Sequence, residues 1–369
     1  MAPANPALEQ FLKGISLFEF VDGADLTEVL RLLRPMTLTA GDVLFRQGEP
    51  GKAMWVLGKG VEVTLAAHST DGRPVVVGYG REGDVVGEMA LVDDGPRSAT
   101  AVVVLGGQAY QIDAGDFHAM RATFVPAAFK IMRKICLDLC RRLRVTNDRI
   151  VPPGRAAVAT PGRPSGRRPD AAAVETFPAF RGLPAVVRLA LAQKLELIEV
   201  GDVTPIFAEG EPTDGAYFIV EGEVSVGRNG KTLANLPAGT MFGIVACIDQ
   251  GNRSASCVTT GPARLLRMSD ADFDNLFAAG NKFAFQMVDL IARQLVQHVR
   301  EANLMLPPPG RPSGIARPAA SIDPLPRIKP SAPAAKVHEP DPIPNELEIL
   351  EIDVSLPIEL ELDITESVV

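Results

Sequence analysis

A short stretch in the first half of the chain combines a glycine, an acid and an arginine at close spacing. Gly87 is followed at once by Glu88, and Arg97 comes nine residues after that acid. Glycine permits close backbone approach to an anion, and the arginine guanidinium matches a phosphate with parallel hydrogen bonds. A carboxylate beside a phosphate is useful only if it accepts hydrogen bonds from hydroxyls, such as those of a ribose. The spacing therefore predicts a nucleotide site; the alternative is a surface ion pair between Glu88 and Arg97.

The chain is a tandem repeat, and the second copy contains a similar stretch. Residues 44–50 (LFRQGEP) match 206–212 (IFAEGEP) at an offset of 162, whereas 97–99 (RSA) match 253–255 at an offset of 156. Six residues are therefore missing from the second copy. Their place is predicted to be the hairpin around 70–72.

The second copy departs from the first at the acid. It keeps Gly243, Arg253 and Ser254, but Ile244 stands where the first copy has Glu88. Losing a hydrogen bond to a charged group costs about 1.5–3 kcal/mol, so affinity for a ribose phosphate should fall about tenfold to a hundredfold or more. We expect the second domain to be silent or to bind a different ligand; a weak second site at Gly243, Arg253 and Ser254 is the alternative.

Short β-branched runs separated by glycine fill most of each copy, and a helix closes each copy. The runs are typical of an antiparallel barrel or jelly roll. The helices show apolar stripes at helical spacing, formed by Met132, Ile135, Cys136, Leu139 and Leu143 in the first copy and by Val288, Ile291, Ala292, Leu295 and Val299 in the second. The predicted fold class is mainly β with flanking helices, as two tandem β-barrel or jelly-roll domains. Each stripe can pack on its own barrel or on a partner chain, so a homodimer is one of the possible arrangements.

Proline marks the boundaries between these parts. Residues 151–170 and 307–344 hold 17 of the 31 prolines, and such segments cannot bury enough apolar surface to fold. The predicted organisation is given by five segments: a first domain at 1–150, a linker at 151–179, a second domain with a degenerate motif at 180–305, a proline-rich linker at 306–344, and an acidic and aliphatic tail at 345–369.

The net charge of −8 comes from the C-terminus. Ten of the 45 acidic residues lie in 339–369, which leaves 35 acidic against 37 basic residues in the rest of the chain. A near-neutral body argues against a domain that binds DNA through a strongly basic face. Acidic and aliphatic residues alternate in 358–364, so the tail is either solvated and disordered or a strand that adds to the sheet of a protein partner.

The motif Gly-Glu-x-Ala-Leu at 87–91, followed by Pro-Arg-Ser-Ala-Thr at 96–100, resembles the cyclic nucleotide-binding domain family. This family includes catabolite-activator-type regulators, regulatory subunits of kinases and gated channels. The resemblance implies that Glu88 binds the ribose 2′-hydroxyl, that Arg97 binds the cyclic phosphate, and that the helix near 129–150 caps the base and moves on binding. The same resemblance places Gly87, Met89, Ala90 and Ser98 in the pocket lining.

The predicted function is a cytoplasmic cyclic-nucleotide receptor that regulates a partner and carries no catalytic domain. The ligand is expected to be cAMP, with cGMP or a cyclic dinucleotide left open. Family members that prefer cGMP tend to carry threonine where this chain has Ser98, but a serine hydroxyl could serve either the phosphate or a guanine amino group. We expect no cofactor, no metal and no membrane span, and the sequence shows no enzyme signature. Two alternatives stay open: a scaffold that binds protein partners without nucleotide, and a regulatory subunit of a kinase. A DNA-binding regulator is disfavoured, because a proline-rich linker and a second barrel follow the closing helix.

Cys136 and Cys140 lie four residues apart on the first closing helix. This spacing could hold a metal ion, but no histidine or further cysteine is near in the sequence. We therefore expect both thiols to pack in the core.

Overall fold

The computed structural model describes residues 6–68, 74–152, 164–278 and 280–306. The chain divides into two units, 1–311 and 312–369, and all of the described residues belong to the first. The predicted hairpin tip at 70–72, part of the first linker, the second linker from residue 307 onward and the tail lie outside the described residues. Within those residues, no helix has the length and apolar character needed to cross a membrane.

The first domain consists of two four-stranded antiparallel sheets with helices at both ends of the sequence. Its helices are α1 (Pro6–Lys13), α2 (Gly23–Leu32), α3 (Ala114–Ala122) and α4 (Pro126–Ile150), with short 3-10 helices at Ser16–Phe18 and Glu88–Leu91. Its strands are β1 (Arg34–Leu38), β2 (Val43–Phe45), β3 (Ala53–Leu57), β4 (Glu62–His68), β5 (Pro74–Gly80), β6 (Val85–Val86), β7 (Thr100–Leu105) and β8 (Gly107–Asp113). The sheet orders are β1-β8-β3-β6 and β2-β7-β4-β5.

The second domain repeats this topology. Its helices are α5 (Ala171–Glu175), α6 (Ala185–Lys194), α7 (Ile244–Asp249), α8 (Asp270–Ala278) and α9 (Lys282–Leu304), with a 3-10 helix at Pro178–Phe180. Its strands are β9 (Leu195–Val200), β10 (Pro205–Phe207), β11 (Ala216–Glu221), β12 (Glu223–Arg228), β13 (Lys231–Pro237), β14 (Met241–Phe242), β15 (Ser256–Thr259) and β16 (Ala263–Met268). The sheet orders, β9-β16-β11-β14 and β10-β15-β12-β13, match those of the first domain strand for strand. The predicted fold class is confirmed as two jelly-roll-like domains, whose sheets do not close into barrels.

Five of the six missing residues belong to the hairpin that the sequence indicated, because the paired residues Val63 and Gly80 are 17 positions apart and the equivalent Val224 and Leu236 are 12 apart. In the second domain, β12 and β13 are joined by Asn229 and Gly230 alone, whose φ values of 50° and 75° are those of a tight two-residue turn. In the first domain the corresponding strands, β4 and β5, pair as far as His68 and Pro74 and enclose a longer connection.

The second domain begins earlier than the sequence predicted. Arg167 forms two backbone hydrogen bonds with Leu197 of β9, and Val174 and Phe177 are fully buried. The Asp170 carboxylate caps α5 by accepting from the Ala173 amide at 2.7 Å. Residues 164–179, which the proline content assigned to the linker, therefore pack on the second domain, because Val174 and Phe177 anchor them in its core.

The apolar stripes of α4 and α9 pack in one continuous core that both domains share. The Phe129 and Phe285 rings, at equivalent positions of the two copies, lie 4.8 Å apart, and the Cys136 thiol lies 3.9 Å from the Val288 carbonyl further along both helices. The two helices therefore run side by side in the same direction. Each stripe is covered by the other domain, an arrangement that the helical periodicity could not distinguish from packing on a barrel or on a second chain.

The thiols of Cys136 and Cys140 lie inside this core. Both side chains are fully buried, and burial raises the pKa of each thiol well above its ordinary value. Their position agrees with the expectation of apolar packing.

Candidate functional site

All six residues predicted for the first site line one cavity of about 350 Å³. Met89 and Ala90 are buried in its wall, and Ser98 is half-buried with its hydroxyl 3.6 Å from the Met89 sulfur. The cavity is also lined by Arg142 and Thr146 of α4 and by Arg300 and Asn303 of α9. The first domain and the closing helix of the second therefore both contribute to the candidate site.

Gly87 occupies a position that no other residue fits. It precedes the 3-10 helix Glu88–Leu91 with a φ of 83°, in the left-handed region. A Cβ at this position would lie 2.9 Å from Nη1 of Arg97 and 3.2 Å from the carbonyl oxygen of Ala53. Both the backbone conformation and the close approach of Arg97 therefore require glycine.

Arg97 is a buried cation held by backbone carbonyls. Nη1 donates to the Gly87 carbonyl at 3.0 Å and Nη2 donates to the Ala53 carbonyl at 2.6 Å, while the guanidinium lies 4.2 Å from the centre of the Phe45 ring. Its side chain makes no ion pair with the residues that the structure describes, and its Nε has no hydrogen-bond partner there. Burial lowers the pKa of Arg97 to about 10, so the group stays charged at neutral pH. A charged group in this state favours an anionic ligand.

Glu88 is also buried, with only 6% of its surface exposed. Its Oε1 forms an ion pair with Nη2 of Arg142 on α4 at 2.9 Å. The surface ion pair between Glu88 and Arg97 is therefore not formed, and the acid connects the cavity to α4 instead. A second carboxylate oxygen is left to accept from a hydroxyl.

The cavity residues missed in the sequence include Arg142, Thr146, Arg300 and Asn303 of the two closing helices. Thr146 and Asn303 are 5% and 6% exposed, and their side chains make no hydrogen bond with the described part of the chain. Polar residues on the buried face of an otherwise apolar helix are a signal that could have identified both. No sequence pattern places α9 of the second domain against the first site.

The second domain keeps the arginine in the same place, but an acidic side chain pairs with it. Arg253 donates to the carbonyls of Gly243 and Gly215 at 2.8 Å each, as Arg97 does to the equivalent carbonyls. It also forms an ion pair with Asp214, at the position where the first copy has Lys52.

The acid and its helix partner are also replaced in this domain. Ile244 is buried where the first site has Glu88, and His298 takes the place of Arg142. Burial lowers the pKa of His298, which favours its neutral form. Ser254 is half-buried. Each change removes a charge that the first site offers to a ligand.

The family model of the cyclic nucleotide-binding domain matches residues 35–124 and 199–279. A cAMP-activated global transcriptional regulator of the CRP type from Mycobacterium tuberculosis is 26% identical over 156 residues, which are 41% of this chain and 67% of that protein. A cAMP-dependent protein kinase regulatory subunit from Dictyostelium discoideum is 21% identical over 277 residues, which are 73% of each chain. Among solved structures, the regulatory domain of Toxoplasma gondii PKA with cAMP is 21% identical, with 74% of this chain and 92% of that chain covered and a TM-score of 0.29.

The two matched regions contain the two glycine and arginine motifs, one in each jelly-roll domain. The second match lies where the chain has lost the acid but kept the arginine. The chain thus carries two tandem domains of the cyclic nucleotide-binding domain family.

Proposed function

We propose that the first domain is a receptor for a cyclic nucleotide and that the protein is regulatory, without a catalytic domain. The observation that carries this proposal is the pairing of a buried, charged Arg97 with a buried Glu88 in one cavity. A phosphate satisfies the arginine, and ribose hydroxyls satisfy the free oxygen of the acid.

The guanidinium of Arg97 has hydrogens left for a phosphate. Each Nη atom uses one of its two hydrogens on a carbonyl, and the Nε hydrogen is unused among the described residues. Up to three N–H groups can therefore donate to the ligand without breaking the two bonds that hold the side chain. The first domain has no acid at the position from which Asp214 pairs with Arg253 in the second domain, since Lys52 stands there.

The names of two relatives support cAMP as the ligand, and two polar side chains of the cavity support a purine base. The names of the M. tuberculosis and D. discoideum relatives both refer to cAMP. Thr146 and Asn303 supply a hydroxyl and an amide from the two helices that line the cavity, and both groups can exchange hydrogen bonds with the edge of a purine.

The ion pair between Glu88 and Arg142 can couple ligand binding in the cavity to the position of α4. A ribose hydroxyl that bonds to Glu88 changes how the acid is shared with Arg142, and Arg142 lies on α4. Because α4 packs along α9, a shift of α4 is passed to the second domain. The ligand acts in this way only if it binds one helix position better than the other.

Calorimetry of the full chain with cAMP, cGMP and cyclic di-AMP tests the proposal. We expect cAMP to bind tightest and to raise the unfolding temperature. If none of the three binds, the receptor function is wrong, and a scaffold that binds proteins without nucleotide becomes the better account.

A regulatory subunit of a kinase is a second candidate. The D. discoideum kinase regulatory subunit aligns with 73% of this chain, which is more than either domain occupies, so the alignment includes residues of both. On this reading, a kinase catalytic subunit should be retained by the protein without cAMP and released when cAMP is added. Retention that does not depend on cAMP would contradict it.

A further inference from the structure

A side chain of the second domain holds the loop of the first domain that carries Arg97. Arg300 of α9 donates to both carboxylate oxygens of Asp93 at 2.7 Å, and its Nε donates to the carbonyl of Pro96 at 2.9 Å. The Arg300 and Asp93 side chains are only 13% and 18% exposed. A bidentate pair at this depth fixes direction as well as distance.

The same contact occurs in the opposite direction. Arg144 of α4 forms a bidentate pair with Asp249 of the second domain and donates to the carbonyl of Asn252 at 2.8 Å. Residue 300 is 156 positions after 144, and 249 is 156 positions after 93, which is the offset of the repeat. The two domains are therefore related by a pseudo-two-fold axis. The closing helix of each domain holds, through one arginine, the loop of the other domain that ends at Arg97 or at the equivalent Arg253; we call this contact the clamp.

The loop from Asp93 to Arg97 depends on contacts from both sides. On the side of its own domain, the Arg97 amide donates to the Glu49 carbonyl at 2.8 Å and the Gly51 amide donates to the Gly95 carbonyl at 3.2 Å. On the other side, a Cβ at Gly95 would lie within 2.6–2.8 Å of the Arg300 guanidinium, so the glycine leaves room for the clamp.

A second contact from α9 reaches the same region. Arg121 of α3 pairs with Asp289 of α9 and donates to the carbonyls of Leu91 and Val92 at 2.7 and 2.8 Å. These carbonyls close the 3-10 helix that begins at Glu88. The second domain is thus connected both to the 3-10 helix that begins with the acid and to the loop that carries the arginine.

The charge state of Asp93 agrees with the geometry. Burial alone would raise the pKa of Asp93, but the hydrogen bonds and charge of Arg300 outweigh it and lower the pKa below its ordinary value. Arg293 of α9 and Arg121 of α3 also lie near it and favour the carboxylate, whereas the neighbouring Asp94 carries the same negative charge.

We infer that the second domain is a built-in partner of the first, and that Arg300 is a positioning residue that holds the phosphate-binding loop in its binding conformation through Asp93 and Pro96. This inference rests on the proposed function. It gives the degenerate domain a role that needs no ligand of its own, because its site is neutralised while its closing helix completes the first site. The reciprocal clamp from Arg144 holds a loop whose arginine is already paired with Asp214.

A comparison of two matched variants of the full chain tests this inference. Arg300→Ala and Arg144→Ala each remove a bidentate pair from equivalent places in the same interface, so both should lower the unfolding temperature. Only Arg300→Ala should weaken cAMP binding, by roughly tenfold, which is about 1.4 kcal/mol, while Arg144→Ala should stay within about twofold of the wild type. Equal affinities of the two variants would overturn the inference.

A double-mutant cycle tests whether Arg300 acts through Asp93. If it does, Asp93→Ala combined with Arg300→Ala should bind cAMP no more weakly than Arg300→Ala alone, because the second change removes nothing further. In the ligand-free chain, hydrogen exchange at the amides of Gly95 and Arg97 should be faster in Arg300→Ala than in Arg144→Ala. Additive losses of affinity, or unchanged exchange, would count against the positioning role.

The same set of proteins separates this inference from the proposed function. If the wild type binds no cyclic nucleotide, the receptor function fails and the inference fails with it. If the wild type binds cAMP, Arg97→Ala abolishes binding and Arg300→Ala matches Arg144→Ala, only the inference is wrong.

Discussion

Arg97 and Glu88 are both buried, yet neither is satisfied by the other. Arg97 donates to two carbonyls, and Glu88 pairs with Arg142 of the closing helix. The residue types and the spacing of nine identified this pair in the sequence, since few functions need an acid and an arginine beside one glycine. Arg142 could not be found in this way, because a basic residue in a long amphipathic helix is ordinarily part of its solvated face.

Replacement of Glu88 by glutamine should weaken cAMP binding more than it weakens the fold. The amide keeps the shape but loses the charge, and hydrogen bonds to charged groups contribute about 1.5–3 kcal/mol, so the dissociation constant should rise roughly tenfold to more than a hundredfold. Titration calorimetry measures this rise. Glu62→Gln, at an exposed site on β4, is the matched control and should bind as the wild type does. Equal affinity of the two variants would remove Glu88 from the site.

Gly87 offers a test of geometry rather than of charge. Gly87→Ala places a methyl group 2.9 Å from Nη1 of Arg97 and forces a non-glycine residue into the left-handed region, which costs about 1–3 kcal/mol. We expect a lower unfolding temperature together with loss of cAMP binding. Gly182→Ala, where a Cβ meets nothing within 4 Å and φ is not positive, should change neither.

At the scale of elements, the helical pattern was a good guide to which faces are buried and a poor guide to what covers them. The stripes on α4 and α9 were predicted residue by residue, and all of their members are in the core. Periodicity reports only that a face is apolar, so it could not show that the two helices cover each other. Proline content likewise misplaced the start of the second domain, because Val174 and Phe177 outweigh the glycine and proline around them.

The pairing of α4 with α9 should carry much of the stability. Leu139 lies in the shared core at 1% exposure, and Leu139→Ala should lower the free energy of unfolding by about 2–5 kcal/mol. Val145 lies on the same helix at 61% exposure, and Val145→Ala should change the free energy of unfolding by less than about 0.5 kcal/mol. Urea unfolding measures both, and a similar small effect of the two changes would mean that the interface contributes little.

At the scale of the whole molecule, one chain contains a pseudo-symmetric pair of domains, of which only the first keeps both the acid and the arginine. The repeat offsets of 162 and 156 revealed the duplication in the sequence, and the loss of the acid at Ile244 revealed that the copies differ. The ion pair between Arg253 and Asp214 could not be predicted from the motif, because residue 214 lies on a separate loop that only the fold brings to the arginine.

This asymmetry predicts that each chain binds one cyclic nucleotide. In the second domain the arginine is paired and the acid is replaced by isoleucine, so a phosphate would have to displace Asp214 and a ribose would meet an aliphatic side chain. Calorimetric titration of the full chain should give a stoichiometry near one. A stoichiometry near two would mean that the second site binds in spite of these changes.

The most direct test of the account compares the two equivalent arginines in the full chain. Arg97→Ala should abolish cAMP binding and the accompanying rise in unfolding temperature, because it removes the guanidinium that is proposed to bind the cyclic phosphate in the first domain. Arg253→Ala should bind cAMP with the affinity of the wild type per folded molecule, since that arginine is already paired with Asp214. Wild-type binding by Arg97→Ala, or its loss in Arg253→Ala alone, would contradict the assignment of the site to the first domain.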